Sequence, residues 1–330
     1  MADIPPPNPA QPAPPTSEER HPWLRPFFNS VEIRAGWRLL LFVVLIVLIS
    51  YGLIQLGRLA NRPKAPPLTE ISIRFLLVGE GTRFLVVLLA AFLMARFENR
   101  PMRVFGLGLG AGFGRKFWIG TLWGFGALTL LLLVLRACHA FYFGHVVLHG
   151  PQVLKYAILL GIGFLLVGLG EEYTLRGYPQ FTLTTGMGFW PAAVVTSAIF
   201  TWLHTGNPGE NKLGLLQVFL IGMFFCLTLR RTGSLWFAVG FHTGWDWGQS
   251  YLYGTPDSGL LAPGRLMASS HAGPVWLSGG SVGPEGSALT LVLYVLVVVL
   301  FHFVYRKAAV YPDPEGLKTP VSAAGAPQIL

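Results

Sequence analysis

The sequence predicts an all-α fold, a polytopic membrane helix bundle of about eight transmembrane helices, on three observations. Hydrophobic residues make up 52% of the 330 and charged residues only 12%. The mean hydropathy of +0.54 lies well above that of an ordinary soluble domain. Apolar runs recur at lengths that cross about 30 Å of hydrocarbon, roughly twenty residues per helix. The few ionisable residues inside these runs fall at helical spacing, where such groups are expensive to hold and pair with one another.

The expected spans lie near Trp37 to Leu56, Phe75 to Phe97, Phe117 to Leu135, Leu154 to Phe181, Phe189 to Thr205, Leu215 to Leu229, Leu235 to Leu252 and Ala288 to Tyr305. Glu80 and Arg83 interrupt the second; three apart on one face, they read as an interfacial ion pair. Residues 31–307 form the expected membrane domain. The flanking segments, 1–30 with its prolines from Pro5 to Pro15 and 308–330, read as disordered tails. The Gly-, Pro- and Ser-rich stretch 254–286 is too polar and irregular to span lipid, so it is expected to pack over the bundle as an external loop.

A net charge of +9 raises the question of nucleic acid, but the basic residues sit in short connectors without an aromatic-rich basic module, which excludes that class as the main reading. They act as topology signals. Arg20, Arg25, Arg34, Arg38, Arg96, Arg100, Arg103, Arg115, Lys116, Arg230, Arg231, Arg306 and Lys307 fall on the side of both termini, which places both termini in the cytoplasm of a multi-pass protein of bacterial inner-membrane type. Arg58, Arg62, Lys64 and Arg74 oppose this assignment. The two cysteines, Cys138 and Cys226, give no disulfide framework and no thiolate metal cluster.

Three motifs carry the chemistry. In Glu171-Glu172-Tyr173-Thr174-Leu175-Arg176, Glu172 and Arg176 are four apart and share a face, while Glu171 points about a third of a turn away. Arg176 can therefore hold Glu172, leaving Glu171 to face a polar cavity; a bare Glu-Arg pair capping the helix is the bland alternative. Phe200 and His204 share a stripe of the fifth span, and His242 and Asp246 share one of the seventh. His302 reads as an ordinary core histidine, and His271 as a connector residue.

Depth arithmetic tests whether the three motifs can meet. A fourth span ending at Glu171 would leave that carboxylate at the membrane edge, far from His204. If the helix continues to about Phe181, Glu171 lies about 15 Å inward, His204 about 22 Å and His242 about 10 Å, at 1.5 Å per residue. Pro179 is a point where that last turn can kink. Modest tilts then bring all three to one buried cavity between spans 4, 5 and 7.

In that order, Glu-Glu-x-x-x-Arg, Phe-x-x-x-His and His-x-x-x-Asp resemble the pattern of the CPBP intramembrane protease family, also called the CAAX-protease or Abi family, which includes the Ras-converting CAAX prenyl endopeptidases and bacterial immunity proteins. The resemblance covers about Leu154 to Tyr251. It implies peptide hydrolysis in which Glu171 activates water with help from His204, and His242 with Asp246 stabilises the oxyanion, Glu172 and Arg176 supporting. Peptide hydrolysis independently needs a base for water and a donor where charge develops on the carbonyl oxygen. The family accepts Asn or Asp at the last position; an Asp here serves best by accepting a hydrogen bond from His242.

No obligatory cofactor is expected, although Glu171, His204, His242 and Asp246 are all chemically competent zinc ligands. The expected substrate is a membrane-embedded or lipidated peptide or protein within the bilayer. A non-proteolytic scaffold or immunity protein and a proton-coupled transporter are the competing classes; the chain shows no internal repeat of the transporter kind.

Overall fold

The computed structural model describes residues 26–28, 32–59, 72–306 and 311. The expected tails and the connector residues Arg62 and Lys64 lie largely outside them. Helix α1 spans Ala35–Leu59, and a π-helical stretch Phe75–Glu80 runs directly into α2, Gly81–Phe97. Then follow α3 (Arg115–Ala137), α4 (Pro151–Arg176), α5 (Tyr178–Met187) and α6 (Phe189–His204). The chain continues through α7 (Lys212–Thr232), α8 (Trp236–Trp247), the four-residue α9 (Val275–Ser278) and α10 (Ala288–Val304).

All eight expected segments are helical. Five helical segments are long and apolar enough to cross a membrane: Ala35–Leu59, Phe75–Phe97, Arg115–Ala137, Pro151–Met187 and Lys212–Thr232. The others, α6, α8 and α10, are shorter; α8 passes into a π-helical turn, Gly248–Leu252. The fourth span departs from the continuous helix expected to Phe181. It breaks at Gly177, where the backbone (φ −77°, ψ −116°) leaves the helical region, and Pro179 takes its place in the first turn of α5. Local chemistry sets other ends. Asn211 caps α7 through Oδ1, which accepts from the amides of Leu213 (2.9 Å) and Gly214 (3.1 Å). Gly233, at φ 68°, closes the same helix.

Helix α8 lies at the centre, with Trp236 through Phe241 and Thr243 through Asp246 buried. Its approach to α3 depends on four glycines, Gly120 and Gly124 on α3 facing Gly240 and Gly244 on α8. A Cβ on any of them would run into the backbone of the opposite helix. Small residues four apart on both partners let two helices meet backbone to backbone, which replaces a hydrophobic driving force that lipid does not supply. Leucine, valine and phenylalanine side chains of α1, α2, α3 and α10 are exposed on the outside, as a lipid-facing surface requires.

Two basic residues expected to report topology are buried instead. Arg38 pairs with Glu98 at 2.9 Å and Glu32 at 3.0 Å, and Arg100 with Glu32 at 2.7 Å. The Tyr178 hydroxyl donates to Glu98 as well. This network ties α1 to the end of α2 and to α5, and a buried charge is tolerated because each one is paired. Conversely, His302 is exposed on α10 and is no core residue. Tyr311, beyond the expected domain edge, is buried: its amide donates to the Arg230 carbonyl (2.9 Å) and its hydroxyl to that of Val104 (2.8 Å).

The 254–286 segment packs over the bundle. Strand β1 (Phe141–Tyr142), in the α3–α4 connector, pairs antiparallel with β2 (Ser270–His271) in this segment. The half-buried His271 ring is held between the Thr255 hydroxyl and the Ser278 carbonyl. The two ends of the segment are joined by the Gly259 amide donating to the Val282 carbonyl at 3.0 Å.

Candidate active site

A cavity of about 520 Å³ opens among α2, α4, α6, α7, α8 and the 254–286 segment. Glu171, His204, His242 and Asp246 all line it, so the three motifs share one chamber. Glu80, Arg83, Glu210, Asp257 and Glu285 line it too. Apolar wall comes from Phe75, Leu76, Phe164, Val167, Leu203 and Ile221.

The double glutamate divides as its helical spacing predicts. Glu172 is fully buried and its Oε1 lies 3.3 Å from Arg176 Nη1, whereas Glu171 turns to the cavity. Arg176 is itself completely buried, its guanidinium lying 4.5 Å above the Phe200 ring and 5.9 Å from that of Phe225. Glu172 does more than anchor this arginine. The same Oε1 lies 3.3 Å from His242 Nδ1, so one carboxylate oxygen joins the first motif to the third.

His242 sits among three carboxylates. Its Nε2 is 3.4 Å from Asp246 Oδ2 and 3.7 Å from Glu171 Oε2, on the far side of the ring from Glu172. Phe225 stacks on the imidazole at 5.7 Å. His204 is fixed differently: Nδ1–H donates to its own Phe200 carbonyl at 2.8 Å, and the Phe200 ring meets the imidazole edge to face at 4.4 Å. With Nδ1 carrying the hydrogen, Nε2 keeps a lone pair. Phe200 thus seats both His204 and Arg176, which accounts for an aromatic residue four before the histidine.

Several lining residues carry no signal strong enough to be found in the sequence. Arg83 does pair with Glu80 (2.7 Å), but it also reaches Glu171 Oε1 at 3.4 Å, so the local ion pair is part of the site. Gly170 makes room for it: a Cβ there would lie 3.2 Å from both Nε and Nη2 of Arg83. Asp257 and Glu285 enter from the two ends of the 254–286 segment. Burial pushes the Asp257 carboxyl well above its ordinary value, and burial with Asp257 nearby pushes Glu285 up to about 8.

A catalytic zinc takes three protein ligands and a water, and Glu171, His204 and His242 are not in the set of described residues whose ligand atoms gather to such a spacing. Among the described residues, the group whose ligand atoms all lie within 4.8 Å of one another is Asp246, Asp257 and Glu285.

No curated protein matches the chain. Residues 153–248 match a family model described as Rce1-like, type II CAAX prenyl endopeptidase. The matched stretch begins at the start of α4, ends just after α8 and contains all three motifs. Over that stretch the chain is similar to the type II CAAX prenyl endopeptidase family, in agreement with the resemblance its motifs carry.

Proposed function

We propose that the protein is an intramembrane endopeptidase that hydrolyses a peptide bond in a membrane-embedded or lipidated, CAAX-like substrate. One observation carries the reading: Glu171, its Oε1 held by Arg83, turns Oε2 to within 3.7 Å of the His242 imidazole on the wall of a cavity that His204 also lines. The family matched takes its printed name from prenyl substrates, and the phenylalanine, leucine and isoleucine part of the wall suits an apolar chain.

In this reading Glu171 takes a proton from water while the His204 Nε2 lone pair orients it, and the water oxygen attacks the scissile carbonyl carbon. His242 has carboxylates facing both ring nitrogens, so both can carry hydrogen. The Nε2–H then turns to the developing oxyanion, where a donor is worth most in a water-poor pocket. Asp246 and Glu172 are positioning residues that hold the ring from either side. Glu171 finally delivers its proton to the leaving amine. No step uses a metal. The basic connectors support placing both termini in the cytoplasm.

The test is cleavage of a quenched lipidated peptide in liposomes by the wild type, Glu171→Ala and His204→Ala. Loss of cleavage in both variants is expected, and equal cleavage by all three overturns the assignment. Activity that a zinc-selective chelator abolishes and added zinc restores would replace the metal-free mechanism.

A further inference from the structure

Asp246, Asp257 and Glu285 come from α8, from the start of the 254–286 segment and from the turn Pro284–Gly286 before α10. Their carboxylate oxygens lie within 4.8 Å of one another, and Asp246 and Asp257 are buried. Few donors face them. Ser250 Oγ donates to Asp257 (2.9 Å), the Ser258 amide donates to Glu285 (3.0 Å), and His242 Nε2 is 3.4 Å from Asp246. Among the described residues no lysine or arginine pairs with any of the three. Two buried carboxylates and a half-buried one beside a single imidazole can be ionised together in a low-dielectric chamber only against a counter-ion; without one they keep their protons.

A second, independent feature points to the same ligand. Gln217 on α7 is 1% exposed and lines the same cavity. Its Nε2 donates to the Ser287 carbonyl at 2.9 Å, two residues from Glu285, yet its Oε1 has no partner. An amide oxygen desolvated without a donor is a cation ligand in waiting.

We propose that Asp246, Asp257 and Glu285, with Gln217 Oε1, form a binding site for Ca²⁺ that staples both ends of the 254–286 segment to α8. An ion at the centre of an oxygen triangle whose edges are no longer than 4.8 Å sits at most about 2.8 Å from each atom, so a contraction of no more than a few tenths of an ångström reaches the 2.3–2.6 Å range of Ca²⁺. Mg²⁺ demands about 2.0–2.1 Å and a rigid octahedron, a larger rearrangement. Zinc prefers nitrogen and sulfur, and this set offers only oxygen. The ion holds Asp246 ionised beside His242, and it fixes the roof of the chamber. It takes no part in bond breaking.

Binding is read without cleavage, using Tb³⁺ as a luminescent Ca²⁺ probe on the full chain in detergent after EDTA treatment. Trp245, beside Asp246 and on the cavity wall, is the sensitiser. Expected are saturable emission, displacement by Ca²⁺ but not by Mg²⁺, and affinity weakened by more than about tenfold in Asp257→Asn/Glu285→Gln, because affinity follows the charge count of the ligands. Should that pair fold poorly by gel filtration, Gln217→Leu, which leaves every carboxylate in place, is expected to weaken binding as well. Glu171→Ala keeps the emission while losing cleavage, which separates this site from the proteolytic reading. Absence of saturable emission, equal displacement by Mg²⁺, or undiminished affinity in the folded variants overturns the proposal.

Discussion

Helix α8 carries His242 and Asp246, and what fixes its position is the glycine contact with α3. Replacing Gly124 by alanine would put a Cβ 2.8 Å from the Phe241 carbonyl carbon and closer still to its oxygen, one residue from His242. A carbon meets a carbonyl oxygen comfortably at about 3.3–3.6 Å, so the helices must separate by more than about 1 Å. Overpacking of that kind costs about 1–3 kcal/mol. A displacement near 1 Å at a reacting group costs on the order of 10²-fold in rate. Gly126, two residues along the same helix, has nothing within 4 Å of an added Cβ. Gly126→Ala should therefore be neutral or stabilising, by up to about 1 kcal/mol from helix propensity. The assay is thermal unfolding in detergent together with kcat on the lipidated peptide for both variants. If Gly124→Ala unfolds and turns over like Gly126→Ala, close packing of α3 on α8 does not position the site.

Arg83→Gln should lower kcat/KM by about tenfold, near 1.4 kcal/mol, with partial rescue by Arg83→Lys. The figure is kept small because the arginine side chain is 40% exposed and screened. An unchanged kcat/KM would return Arg83 to a local partner of Glu80. Asp246→Asn should retain partial activity and Asp246→Ala lose most of it, measured in the same assay; full activity in both removes Asp246 from the mechanism. In metal-free protein, Glu285 pushed up to about 8 from an ordinary value near 4.5 keeps a proton in the folded state that the unfolded chain releases. Stability should accordingly fall as pH rises from about 4.5 to about 8, by at most about 1.4 kcal/mol per pH unit from this group. Glu285→Gln should flatten that dependence, and an identical slope in the variant would refute the burial argument.

The motif residues were legible because helical period is a local property. Glu172 and Arg176 had to share a face, as did Phe200 with His204 and His242 with Asp246, whatever the rest of the chain did. The extent of the fourth span was legible only in part. Pro179 marked a weak point, but the break falls at Gly177, where an added Cβ would run into the Tyr173 carbonyl oxygen and ring. Arg83 was hidden by its own neighbour. A glutamate three residues away explains an arginine well enough that nothing in the sequence asks for a second carboxylate 88 residues on. Arg38 and Arg100 misled in the opposite way, as connector charges that turn out to be buried and paired.

By itself the sequence determined a greasy helical bundle, the positions of its helices within a few residues, and the helix faces that Glu171, His204, His242 and Asp246 occupy. These follow from composition and from a 3.6-residue period, both set by neighbours along the chain. Tertiary structure alone decided that Glu172 reaches His242 as well as Arg176. It also decided that Arg83 turns toward Glu171, and that Asp257 and Glu285 descend from a distant segment to stand beside Asp246. Those contacts join residues far apart in sequence, and their existence depends on how closely α3 and α8 approach and where α4 breaks, which only the packed molecule fixes.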